Sequence, residues 1–176
     1  MPRCRECKEK FEPKYFNQKY CMNKDECIKA FSEYVKEVNK KKERKEAREK
    51  KKELMTHSNW IQVLQPVFNT YIRLRDKDLP CISCGRYDVE EFHAGHYVAA
   101  NYQYHRFTET NVHKQCSYCN THLRGNLIDY RKGLIEKIGL EEVEYLEQSK
   151  RMMLEITIPE IQEKIKYYKE KIKELK

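Results

Sequence analysis

The sequence has no run of about 18 apolar residues and no basic leader followed by a hydrophobic core. A membrane-spanning helix and a secretory signal are therefore excluded from the reading, and a cytosolic setting is expected. Apolar residues are scarce throughout: 39% of the 176 residues are hydrophobic and 36% are charged. The compact part should be smaller than the chain, with the remainder drawn out as solvated helix or tail. Length alone allows one ordinary domain with a small satellite. Disulfides are excluded by the same setting, because eight cysteines in a reducing compartment do not become four bridges. Their grouping in pairs points to metal.

What the sequence has in surplus is positive charge. Lys and Arg number 36 against 28 Asp and Glu, a formal charge of +8 and a pI near 9.0. A polyanion such as nucleic acid is the simplest partner for that balance, although mild basicity is also common without one.

Cys4-Arg5-Glu6-Cys7 is a knuckle, followed after thirteen residues by Cys21 and after five more by Cys27. Four thiolates so arranged can close a tetrahedral zinc site, which lets a stretch poor in large aliphatic residues fold. Phe11, Tyr15, Phe16 and Tyr20 are the expected miniature core. From Asp25, the residues Ile28, Phe31, Val35 and Val38 recur at helical spacing. The pattern then becomes almost wholly charged over residues 40–53, where Glu46 and Lys50 stand at i,i+4. This gives an N-terminal zinc-knuckle segment over residues 1–38 and a basic helical linker over 39–57.

Ser58 or Asn59 can cap a second helix bearing Trp60, Ile61, Leu64, Val67, Phe68, Tyr71, Ile72 and Leu74, with Pro66 expected to kink or break it. Asn126 and Gly139 bracket a third, with Leu127, Ile128, Tyr130, Leu134, Ile135 and Ile138 as its buried stripe. A further helix is expected over residues 141–153. A last one opens at Thr157-Ile158-Pro159 and carries Ile161, Ile165, Tyr168, Ile172 and Leu175. That terminal stripe suits either its own chain or a homodimer. The predicted fold class is α+β and mostly helical, with a zinc-stapled domain over 58–139 and C-terminal helices over 140–176.

Cys81-x-x-Cys84 and Cys116-x-x-Cys119 are two further knuckles separated by 31 residues. A four-thiolate zinc site has no open coordination position, so this ion should be structural. Between the knuckles, residues 92–98 read as a strand and residues 102–107 as its hairpin partner across 99–101. His96, Asn111 and Asn120 then form a histidine–asparagine–asparagine pattern of the HNH, or ββα-metal, type. Phosphodiester hydrolysis needs a base that is neutral near pH 7, which imidazole provides. It also needs a cation to offset charge on the phosphate, which an asparagine carbonyl can help hold as Mg²⁺ or Mn²⁺. Arg73, Arg75, Arg106, Lys114, Arg124 and Arg131 are candidate phosphate contacts. His113 reads as a packing residue and Asn126 as a helix cap.

Gly95-His96-Tyr97, the run Arg106-Phe107-x-Glu109-x-Asn111-Val112-His113-x-Gln115-Cys116-x-x-Cys119-Asn120, and Leu123-x-Gly125-Asn126-x-x-x-Tyr130 together resemble the lambdoid phage NinG (Rap) family of recombination endonucleases. The N-terminal knuckle and basic helix extend the resemblance over most of the chain. It implies a divalent-metal-dependent, structure-specific endonuclease in the host cell's cytoplasm, near the nucleoid. The implied substrates are D-loops and Holliday junctions, cut to a 5′-phosphate and a 3′-hydroxyl, with recombination proteins as further partners. By the same resemblance His96 activates water, Asn111 holds the loop and orients His96 through a hydrogen bond, and Asn120 binds the ion. One departure is Gly95, where such sites usually carry an acidic or histidine ligand. His93 is the expected replacement, provided a bulge or twist brings it round to the face of His96, and His105, Glu91 and His122 are its rivals. An imidazole ligand tilts the site toward Mn²⁺. The competing classes are a non-catalytic zinc protein that binds nucleic acid and a scaffold working through its terminal helices.

Overall fold

The structure is a computed structural model that describes residues 1–153 and 156–176. Its helices begin where local chemistry starts them. α1 (Asp25–Glu53) opens on Asp25 and Glu26 and closes on Lys50, Lys51 and Lys52, both favourable to the helix dipole. α2 (His57–Arg75) is capped by Thr56, whose hydroxyl accepts from the Asn59 amide at 3.3 Å, so the cap lies ahead of the expected Ser58 or Asn59. α2 runs unbroken through Pro66, because the ring sits on the solvent side while Leu64 and Phe68 are fully buried on the other. α3 (Leu127–Ile138) stops at Gly139, whose φ of +86° turns the chain directly into α4 (Leu140–Ser149). α4 thus ends before the expected residue 153. α5 (Ile158–Glu174) begins with a proline in its first turn, and the Glu160 carboxylate reaches back to the Thr157 amide at 2.6 Å.

The sheet is a single antiparallel pair, β1 (Phe92–His96) with β2 (Val112–Cys116), in a register that sets His93 opposite Gln115 and His96 opposite Val112. The expected hairpin partner at 102–107 is not the second strand. That stretch lies in the connection between the strands, with 3₁₀ turns at Gln103–His105 and Glu109–Asn111. Every residue of β2 is buried, including His113, Lys114 and Gln115. Its polar composition hid it, since a buried strand normally reads as apolar.

The chain divides into Met1–Met55 and Thr56–Lys176. In the first unit Phe11 and Tyr20 pack around the cysteines, but Tyr15 and Phe16 are 53% and 91% exposed. Their expected place in the core is taken by Phe31 and Tyr34 of α1, whose rings lie 5.9 and 5.8 Å from Tyr20. In the second unit Leu64, Phe68, Tyr71 and Ile72 of α2 meet Ile161, Ile165 and Tyr168 of α5, so the terminal stripe closes onto its own chain. Ala94 and Val112 put one face of the sheet against this core. On the other face Tyr130 of α3 is fully buried. Its hydroxyl donates to Gly95 O at 2.8 Å and accepts from the His113 amide at 3.1 Å, joining the two strands. A second cluster, Val98, Tyr130, Leu134, Val143 and Leu146, ties α3 and α4 to the connection after β1.

Asp76, just beyond α2 and 2% exposed, fixes β2 and α3 to that helix. It accepts from Arg75 Nε and Nη2 at 2.9 and 2.8 Å, from the Lys114 amide at 3.1 Å and from Lys137 Nζ at 3.1 Å. Burial alone would raise its carboxyl pKa, but the adjacent His113 and the Arg75 guanidinium hold it well below the usual carboxylate range. His113 donates a hydrogen bond through Nε2–H to Thr110 O at 3.0 Å, and burial holds its pKa below the ordinary histidine value.

Removing the Asp76 carboxylate strands two cations, Arg75 and Lys137, and the Lys114 amide. Asp76→Ala should therefore cost about 3–5 kcal/mol in chemical denaturation. Burial also lowers the pKa of His96 and His105, so all three imidazoles take up protons more readily when unfolded. Stability should hold above about pH 6.5 and fall below it. A melting temperature flat from pH 7 to 5 would contradict that.

Candidate functional site

The cysteines converge as two quartets, Cys4, Cys7, Cys21, Cys27 and Cys81, Cys84, Cys116, Cys119, with the sulfurs of each within 4.8 Å of one another. Cys4 to Cys27 is 3.7 Å, while Cys7 to Cys21 and Cys84 to Cys116 are each 3.8 Å. The edge of a tetrahedron with Zn–S bonds of about 2.3 Å is about 3.8 Å, whereas a disulfide needs about 2.05 Å. Amides point at the sulfurs as they do at thiolates: Cys21 N to Cys4 at 3.3 Å, Cys116 N to Cys81 at 3.3 Å and Cys119 N to Cys116 at 3.4 Å. The Asn126 carboxamide adds a contact to Cys119 at 3.7 Å. Partial burial would raise Cys84, but the Arg86 guanidinium beside it brings it down to about 6. Each quartet could hold a zinc ion, and four thiolates leave it no open position.

Strand alternation sends His93 and His96 to opposite faces of β1, so no bulge brings them together. His93 instead meets Asn120, Nδ1 to Nδ2 at 3.0 Å, and its Nε2 lies 3.3 Å from Glu91 Oε1. Asn120 sits in the π-helical turn Tyr118–His122, directly after the last cysteine. Of the other ligands considered, His105 is buried against the Ser149 hydroxyl at 2.9 Å, and His122 is exposed and stacked on Tyr118. The side chains that the fold assembles around Asn120 are therefore His93 and Glu91.

On the other face, the His96 ring is bonded through Nε2 to Arg106 O at 3.0 Å. A carbonyl can only accept, so Nε2 carries the proton and Nδ1 the lone pair. Burial lowers the His96 pKa, partly opposed by that bond, which favours the neutral ring at pH 7. Asn111 is fully buried. Its oxygen accepts from the Val98 amide at 2.7 Å and its nitrogen donates to Val98 O and His105 O, both at 2.9 Å. The expected hydrogen bond from Asn111 to His96 is not formed; Asn111 closes the connection that carries the Arg106 carbonyl, and so orients His96 at one remove.

Glycine before His96 is dictated by the opposite strand, since a Cβ at Gly95 would lie 2.2 Å from Gln115 Oε1. Gln115 is held by its donations to Ser83 Oγ at 2.7 Å and Gly125 O at 2.6 Å. No ligand side chain can stand at position 95 while Gln115 stays there.

The basic residues separate by environment. Arg75 is committed to Asp76, Glu109 O and Val112 O, and Lys114 to Lys77 O and the face of the Phe92 ring. Arg106 donates to Gln65 at 2.7 Å, and Arg131 is paired with Glu147 at 2.8 Å. Arg73 and Arg124 are exposed. Asp76 and Glu147 carry no local signal in the sequence, because Asp76 joins Lys114 and Lys137, and Glu147 joins Arg131, only once the chain has folded.

The family model described as the bacteriophage Lambda NinG protein matches residues 1–176. Protein ninG of Escherichia phage 933W and that of Escherichia phage lambda are each 38% identical to this chain, over 99% of it and 93% of their own lengths. Protein ninG of Salmonella phage P22 is 39% identical over 82% of this chain and 79% of its own. No solved structure matches.

Metal analysis of the purified chain should find about two zinc ions per molecule. Cys116→Ser should lose about one of them and unfold at lower temperature, because Cys116 also ends β2. An unchanged zinc content in that variant would refute the second quartet as a zinc site.

Proposed function

The chain belongs to the NinG family of lambdoid phages, and from that premise we propose that it is a divalent-metal-dependent endonuclease acting on branched DNA, D-loops and Holliday junctions among its substrates. The observation that carries the reading is the buried Asn111 amide closing the connection whose Arg106 carbonyl fixes the His96 tautomer. A histidine held neutral, with one ring nitrogen occupied and the other bearing its lone pair, suits general-base work on water.

In this reading His96 takes the proton from the attacking water, and Asn111 keeps the ring in place through the loop. The Asn120 carbonyl, with His93 and Glu91 beside it, would hold a Mg²⁺ or Mn²⁺ ion on the face of β1 opposite His96, so a phosphate on that ion would have to reach His96 around the end of the strand. Such an ion would offset charge on the phosphate and the leaving oxygen. The products expected are a 5′-phosphate and a 3′-hydroxyl. No side-chain pattern reads base edges, so selection falls to DNA shape and backbone, in the host cytoplasm near the nucleoid.

His96→Ala should keep branched-DNA binding and lose roughly 10²–10⁴-fold in cutting rate. Undiminished cutting would remove His96 as the base, and a wild type that binds but cuts with no divalent ion would favour a non-catalytic binding protein. A base acts only when neutral, and burial holds His96 below its ordinary pKa. The rate should therefore decline on acidification with a midpoint below about 6.5. With an imidazole ligand, Mn²⁺ should support faster cutting than Mg²⁺, and His93→Asp should reverse that preference. Equal activation of the wild type by both ions would count against His93.

A further inference from the structure

The basic surplus is unevenly placed. Met1–Met55 contains 18 Lys and Arg against 11 Asp and Glu, a net +7, which leaves +1 for Thr56–Lys176. The unit that carries the charge also displays aromatic rings. Tyr15 and Phe16 sit at the tip of a turn, 53% and 91% exposed, although the small core beside them is already filled by Phe11, Tyr20, Phe31 and Tyr34.

That turn is fixed. The Gln18 side chain, 6% exposed, accepts from the Lys14 amide at 2.7 Å and donates to Tyr20 O at 2.7 Å, while its own amide bonds Tyr15 O at 3.3 Å. Asn17 takes φ +60°, a conformation that asparagine tolerates better than most residues. Cations flank the turn. Lys14 precedes Tyr15, and the Arg5 amide bonds Lys19 O at 2.9 Å, placing both of those side chains over the Tyr34 ring at 5.9 and 5.2 Å. Among the described residues, the ion pairs of this unit join Lys24 to Glu9, Lys41 to Glu37, Lys42 to Glu46 and Lys45 to Glu49; Arg5, Lys14 and Lys19 have no carboxylate partner, and Lys19 Nζ donates only to the Tyr34 hydroxyl, at 3.0 Å, so all three keep their charges.

We propose that Tyr15 and Phe16 are a stacking wedge for unpaired DNA bases, with Arg5, Lys14 and Lys19 on the adjoining phosphates. The first zinc knuckle thereby recognises the opened bases of a branch. Exposed rings on a hydrogen-bonded turn beside cations are the combination that binds single-stranded nucleic acid, the rings taking base faces and the cations the backbone. A protein partner would find the rings but gain little from a surplus of +7. The inference rests on the DNA reading above and adds to it where strand opening is sensed.

The test is binding by the full-length, zinc-loaded chain with no Mg²⁺ or Mn²⁺ added, so that no cutting occurs. Ligands are a three-way branch with unpaired thymines at its centre and a blunt duplex of equal length. Tyr15→Ala with Phe16→Ala should weaken branch binding roughly ten-fold or more, since each stacked base contributes about 1–3 kcal/mol. Duplex affinity and the slope of affinity against salt should hold, because no charge is removed. Phe16→Trp should retain branch binding, with its fluorescence quenched by the branch and by oligothymidylate but not by the duplex. Unchanged zinc content and melting temperature establish that the variants fold. Equal losses on both DNAs, or no loss and no quenching, would overturn the wedge; so would intact DNA binding alongside lost capture of a protein partner. A wild type that binds neither DNA would instead sink the nucleic-acid reading itself, and undetected cleavage elsewhere would leave this result standing.

Discussion

Two five-residue strands cannot hold together alone in water, and the second unit is arranged around that weakness. Three clamps act on the pair. Cys116 ties the end of β2 into a thiolate quartet, the Tyr130 hydroxyl bonds a backbone group from each strand, and Asp76 binds the Lys114 amide from beyond α2. Each clamp comes from a different element, so β2 can be polar and still wholly buried. His113, Lys114 and the Gln115 amide nitrogen have hydrogen-bonding partners there, which offsets most of the cost of burying them, while Gln115 Oε1 is buried without one.

The ribbon then separates two kinds of chemistry. One face carries His96, oriented by a backbone carbonyl; the other carries His93 beside Asn120 and Glu91. Asn120 follows Cys119 directly and Asn126 reaches back to the same sulfur, so the thiolate quartet sets the position of the asparagine. A cysteine quartet that could hold zinc can thus govern a polar site in which that ion would have no part.

The cysteine quartets were legible because knuckle spacing is a local signature of tetrahedral thiolate chemistry. The helices were legible because apolar periodicity and capping residues act within a few positions. The second strand was not. Tyr102 to Phe107 alternates aromatic and polar residues as a strand does, yet it forms a turn, while Val112–Cys116 conceals a buried strand behind polar side chains. Asp76 gave no local sign, since its partners apart from Arg75 lie 37–61 residues away and only folding unites them. His93 is expected from the sequence on the face of His96, but the strand has no bulge, and plain alternation puts it on the opposite face with Gly95 and Gln115, where it meets Asn120.

The two quartets also differ in when they can close as the chain leaves the ribosome. The first needs only residues 4 to 27, a span of 23 positions whose last cysteine lies in the first turn of α1. Cys81 and Cys84 must emerge and wait for 31 further residues before their partners appear, a delay on the order of seconds at bacterial elongation rates. During that interval Cys81 and Cys84 stand without the partners that complete their quartet. Closure of the unit waits longer still, for Ile156 to return to His57 across 99 positions. The nascent chain therefore presents a finished basic knuckle well before the domain behind it has a fold.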